Sequence, residues 1–80
     1  MTNRHALNRF LYRALKDKAE SQRSSAYATL EVYFNNPAGI GEHPQVVEEM
    51  MKQLEILANA EDCLKTLTES FSQHNDLNAI

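Results

Sequence analysis

Along the second half of the chain apolar residues return every three or four positions, as Val47, Met50, Met51, Leu54, Leu57, Ala58, Leu64, Leu67 and Phe71. That period places them on one stripe of an α-helix. Pro44 fits a first helical position, where its missing N–H costs nothing. Glu48 and Glu49 sit where the positive end of the helix dipole favours negative charge. No Gly or Pro follows Pro44, so the pattern predicts a helix over 44–73 and a frayed tail over 74–80.

The first half is less uniform. Leu7, Phe10, Leu11, Ala14 and Leu15 form one amphipathic segment, with Thr2 or Asn3 as its N-cap, and Ala26, Tyr27, Leu30, Tyr33 and Phe34 form another. Between them the run from Lys16 to Ser25 has Ala19 as its single apolar residue. A kink near 21–25 is one reading and an unbroken helix over 3–35 the favoured one, because no residue there forbids helix. Asn35 and Asn36 close this arm, since Pro37 disfavours helical geometry in the residue before it.

Both glycines and both prolines of the chain fall between Asn35 and Pro44, which isolates one turn over 36–43. The two arms would each be roughly 45–50 Å long at about 1.5 Å per residue, so the turn folds them into an antiparallel hairpin. That register sets Phe10 and Leu11 near Leu67 and Thr68, Leu15 near Leu64, and Leu30 near Met50. Two helices cannot cover both stripes, because Met50 and Met51 point at different angles, as do Tyr33 and Phe34. A chain of 80 residues with one cysteine and no metal-ligand cluster turns to self-association for the missing cover. A twofold dimer forming a four-helix bundle is the simplest closed solution.

Composition narrows the function classes. A chain 42% hydrophobic and 24% charged suits a single helical domain over 1–80, and it has no apolar run long enough to span a bilayer. The start shows no signal-peptide pattern, and the lone Cys63 makes no internal disulfide, so a reducing, cytoplasmic setting is expected. Charge is divided along the chain. Arg4, Arg9, Arg13, Lys16, Lys18 and Arg23 outweigh Asp17 and Glu20 in the first arm, whereas the chain from Glu42 onward carries eight acidic residues against Lys52 and Lys65. In the hairpin these halves lie side by side, with Arg9, Lys16 and Lys18 beside Glu61, Asp62 and Glu69, and Arg23 facing Glu55. Such pairing would set register and would disfavour a nucleic-acid role for the basic arm.

Candidate chemistry is sparse. Gly39-Ile40-Gly41 before a helix resembles a phosphate cradle, but Glu42 brings negative charge and no strand precedes it, so a structural turn is favoured. Glu42 and His43 lack the further ligands or partners that a metal or acid–base site needs, since His5 and His74 lie at the far end of the hairpin. Cys63 follows Glu61 and Asp62, whose charge works against a reactive thiolate. Met50, Met51, Tyr27, Tyr33 and Phe34 suit an adaptable binding patch, and at helical spacing suit core or dimer seam better.

The stretch from Asn36-Pro37-Ala38-Gly39-Ile40-Gly41-Glu42-His43-Pro44 through Val47-Glu48-Glu49 to Ala60-Glu61-Asp62 resembles small uncharacterised helical-hairpin proteins of large tailed bacteriophages. The likeness covers about residues 35–65 and carries no catalytic residues. It implies a viral accessory protein made in the host cytoplasm.

The expectation is thus an all-α hairpin of two long antiparallel helices that self-associates into a four-helix bundle. Its function is that of a non-enzymatic accessory or protein–protein interaction protein, with no cofactor, metal or membrane partner. Asn36, Pro37, Gly39, Ile40, Gly41, Glu42, His43 and Pro44 form a candidate elbow for an unidentified protein partner. Leu54, Leu57, Leu64, Leu67 and Phe71 form a candidate oligomer interface. The alternative is a nucleic-acid-associated factor using the basic first helix.

Overall fold

A computed structural model describes residues 4–36 and 45–75 of the chain. Two helices, α1 (Arg4–Phe34) and α2 (Val46–Phe71), pack antiparallel along their lengths, and a 3₁₀ turn (Ser72–His74) follows α2. The protein is an all-α helical hairpin, 59 Å long and 20 × 16 Å across. The elbow residues 37–44 and the tail 76–80 lie outside the described residues.

The helix α1 runs without interruption through 21–25. Its polar residues there, Ser21, Gln22, Arg23, Ser24 and Ser25, are all exposed, while Ala19 before them and Ala26 after them are buried. Burial on both sides holds the helix through a stretch whose side chains ask only for solvent. Thr29 Oγ donates back to the Ser25 carbonyl at 2.9 Å, as helix-interior Thr commonly does. At the C-terminus the Asn35 amide N–H donates to the Glu31 carbonyl at 2.9 Å, and its side-chain amide reaches the same carbonyl at 2.8 Å. That side chain also donates to the Glu31 carboxylate at 3.1 Å, so Asn35 caps an end that would otherwise leave carbonyls unpaired.

The helices meet along rows that alternate three- and four-residue steps, the seven-residue repeat of a coiled coil. On α2 the inner row is Val46, Met50, Gln53, Leu57, Ala60, Leu64, Leu67 and Phe71, continued by His74 of the 3₁₀ turn, all buried or half-buried except the exposed Phe71. On α1 it is Tyr12, Lys16, Ala19, Arg23, Ala26, Leu30 and Tyr33. The tightest points are alanines, with Ala26 at 1% and Ala60 at 0% exposure. Small side chains there let the backbones approach closely.

This inner row corrects the expected one for α1. Leu7, Phe10, Leu11 and Leu15 are all exposed, because Tyr12 and Ala19 face α2 instead. The apolar stripe of α2 likewise divides into the inner row and a second, exposed row of Val47, Met51, Leu54 and Ala58. The expected ion pairs between the helices do not form among the described residues. The ion pair present is Lys16–Glu20 at 3.7 Å, within α1. Glu48, Glu55, Asp62 and Glu69 recur every seven residues, all exposed, and none pairs with a base of α1.

The alanine seam makes a direct prediction. Ala60→Leu should force the helices apart and cost about 1–3 kcal/mol by overpacking. Ala58→Leu, exposed two residues earlier, should stay within about 0.5 kcal/mol of the parent. Denaturant unfolding of the two variants measures both.

Candidate functional site

At the open end of the hairpin, away from the elbow, the two helices leave a groove of about 570 Å³. Its walls come from Leu11, Tyr12 and Leu15 on α1 and from Leu67 and Phe71 on α2, with His74 of the 3₁₀ turn closing one end. The local sequence explains the space. Ala19, an inner residue of α1 on its wall, is too small to fill it, and Phe71 remains about half exposed at its mouth. The imidazole of His74 stacks on the Phe71 ring with centroids 6.5 Å apart and planes 22° from parallel, which steadies that wall. Lys18 and Asp62 stand at the rim without pairing to each other. A second, more polar hollow lies nearer the elbow, between Ser21, Gln22 and Ser25 on α1 and Gln53, Ile56 and Asn59 on α2.

The groove can bind but has little chemistry with which to react. Cys63 on its wall is an exposed free thiol with Asp62 beside it in sequence. Among the described residues no group of three His, Cys, Asp or Glu side chains is placed to hold a metal ion. No helix there is long and apolar enough to cross a membrane. An open, largely apolar trough between helices suits the side chains of another helix better than a small molecule, which needs enclosure and converging polar groups.

The sequence-derived candidates are distributed as follows. Leu57, Leu64 and Leu67 are half-buried in the seam of the hairpin itself, whereas Leu54 and Phe71 are exposed, on different faces. Asn36 is exposed at the end of α1. Pro37, Gly39, Ile40, Gly41, Glu42, His43 and Pro44 lie outside the described residues. Tyr12, which walls the groove, carries a signal that sequence reasoning passed over. Tyr12, Ala19, Ala26 and Tyr33 stand seven residues apart, the spacing of an inner row.

Next to the elbow Tyr33 Oη donates to a Glu49 carboxylate oxygen at 2.8 Å, the one side-chain hydrogen bond between the helices among the described residues. It ties the end of α1 to the first turn of α2, where Glu49 also serves the helix dipole. Comparison with protein-family models, characterised proteins and solved structures finds no match for this chain.

The Tyr33 phenol titrates above its ordinary value, chiefly because its hydrogen bond to Glu49 holds the proton, with partial desolvation and the nearby carboxylate charge adding to the effect. The contact favours the neutral phenol, so its contribution to stability is complete below the ordinary phenol range and is lost as pH rises through the raised value. Glu49→Ala should move one phenolate step in an ultraviolet titration to lower pH. Tyr33→Phe should remove that step.

Proposed function

We propose that this chain is a small non-enzymatic interaction protein that acts as a homo-oligomer, completing a four-helix bundle and presenting its groove to a further protein partner. The observation that carries this reading is surface area. The chain exposes 6385 Å². A compact monomer of its mass would expose about 4,900 Å². The excess of about 1,500 Å² exceeds the roughly 800 Å² that each partner buries in a standard interface. Large apolar side chains are among what is exposed, with Phe10 and Val47 each at 70% exposure. Large side chains are left in water at this density chiefly where a partner covers them.

A second reading rests on the ion pairs that are missing. With no carboxylate of α2 neutralising them, Arg9, Arg13, Lys16 and Arg23 fall at three-, four- and seven-residue steps and form a basic stripe along α1. Such a stripe is the footprint of phosphate-backbone binding. The acidic edge of α2 and the net charge of −3 work against it.

Sedimentation decides the first reading. The chain should sediment at about twice 9.1 kDa at micromolar concentration, and a thermally robust monomer would sink the proposal. A gel shift on duplex and single-stranded DNA at low salt, lost as salt rises, would favour the second.

A further inference from the structure

The register of the hairpin divides its groove into rungs. Tyr33 bonds to Glu49, so in an antiparallel pair residues equally far from that bond lie about level with each other. Asn8 with His74, Leu11 with Phe71, Leu15 with Leu67 and Ala19 with Cys63 are four such pairs, and all of these residues line the groove. The two middle rungs are apolar on both sides, and Leu11, Leu15 and Phe71 are exposed there. The chain itself arrives at the first rung. The backbone leaves α geometry at Phe71, with φ −133° and ψ 15°, and the 3₁₀ turn lies against α1. That turn closes with the Asn75 N–H donating to the Ser72 carbonyl at 3.0 Å. Asn75 and Asp76 are turn-forming residues, and Leu77-Asn78-Ala79-Ile80 follows them.

We propose that residues 76–80 of the same chain fold back into the groove as a strap, which any ligand of the groove must displace. Leu77 packs on the Leu11–Phe71 rung and Ile80 on the Leu15–Leu67 rung. This inference rests on the reading of the groove as a binding site and adds an occupant that competes for it. Three arguments select that occupant. The first is reach. Five extended residues span up to ~17 Å. From the His74 rung back to the Leu67 rung is only about 10 Å at 1.5 Å per residue, which leaves length for the reversal at Asn75 and Asp76. The second is spacing. Leu77 and Ile80, three apart, fall on one side of a single α or 3₁₀ turn and stand about 4.5–6 Å apart along it, against about 6 Å between the two apolar rungs. The third is the tether. A segment joined at the mouth of the groove is held there at a local concentration on the order of millimolar, which a second copy or a separate protein at micromolar concentration does not match. Occupancy by the strap lowers the apparent affinity of every other ligand in proportion to the fraction of grooves left open.

The test uses the apolar dye 8-anilinonaphthalene-1-sulfonate as the groove ligand, with circular dichroism to verify that each variant keeps its helices. The double variant Leu77→Ser, Ile80→Ser should bind the dye at least about fivefold more tightly than the parent chain. Adding Leu15→Glu, on the groove wall, should abolish that gain. In the methyl-labelled parent, Leu77 and Ile80 should show nuclear Overhauser contacts to Leu15, Leu67 and the Phe71 ring that persist on dilution. Equal dye binding by parent and double variant, or tail methyls without those contacts, would overturn the inference and leave the groove as an open partner site. A gain that survives Leu15→Glu would overturn it too, by placing the uncovered surface elsewhere. Contacts found only between differently labelled copies would do the same and identify a second copy as the occupant. A monomeric parent protein would remove the oligomer reading alone, because the strap acts within one chain.

Discussion

The close approach of two helices along Ala19, Ala26 and Ala60 is the constraint on which the rest of this molecule depends. Small residues let the backbones meet, and they leave little interior volume for anything larger. The buried set is correspondingly short, Tyr12, Leu30 and Val46 being its only larger members among the described residues, and none of these three is fully enclosed. Every other large apolar side chain among the described residues is held at the margin of the seam or placed on the outside. A slender hairpin with bulky exterior residues is the direct result, and the unused apolar surface is the cost of a narrow seam.

The same geometry governs charge. Because the seam takes only the inner row, α2 leaves Glu48, Glu55, Asp62 and Glu69 exposed, and none of them pairs with a base of α1. The basic residues of α1 keep their charge unneutralised by α2. Segregated charge of this kind adds little to the stability of one hairpin, since exposed pairs are worth about 0–1 kcal/mol even when they form. It does bias which surfaces of two molecules meet, and in what orientation. Cross-helix polar bonding is concentrated near the elbow, where Tyr33 and Glu49 join the helices across the turn.

Much of the architecture is legible in the sequence, for identifiable reasons. Helix breakers confined to 35–44 divide the chain once, and three- and four-residue apolar spacing on either side calls for two helices. The face of α1 turned inward is not legible in the same way. Leu7, Phe10, Leu11 and Leu15 are the stronger hydrophobic signal, yet they face outward, because period identifies a stripe without naming its partner. Alanine is weakly apolar on any scale, so a seam built from Ala19, Ala26 and Ala60 is faint beside leucine and phenylalanine. The Tyr33–Glu49 bond and the groove beside Phe71 both depend on register, which helical pattern alone leaves open.

The sequence by itself determined that the chain is helical, that it bends once, and that it carries more apolar surface than two helices hide. Local propensity and spacing are properties of neighbouring residues, so they can be read without knowing what lies across the seam. Tertiary structure alone decided which stripe turns inward and which charges are left unpaired. Those outcomes are set by the distance between two backbones, and small side chains at Ala26 and Ala60 fix that distance only when both helices are in place.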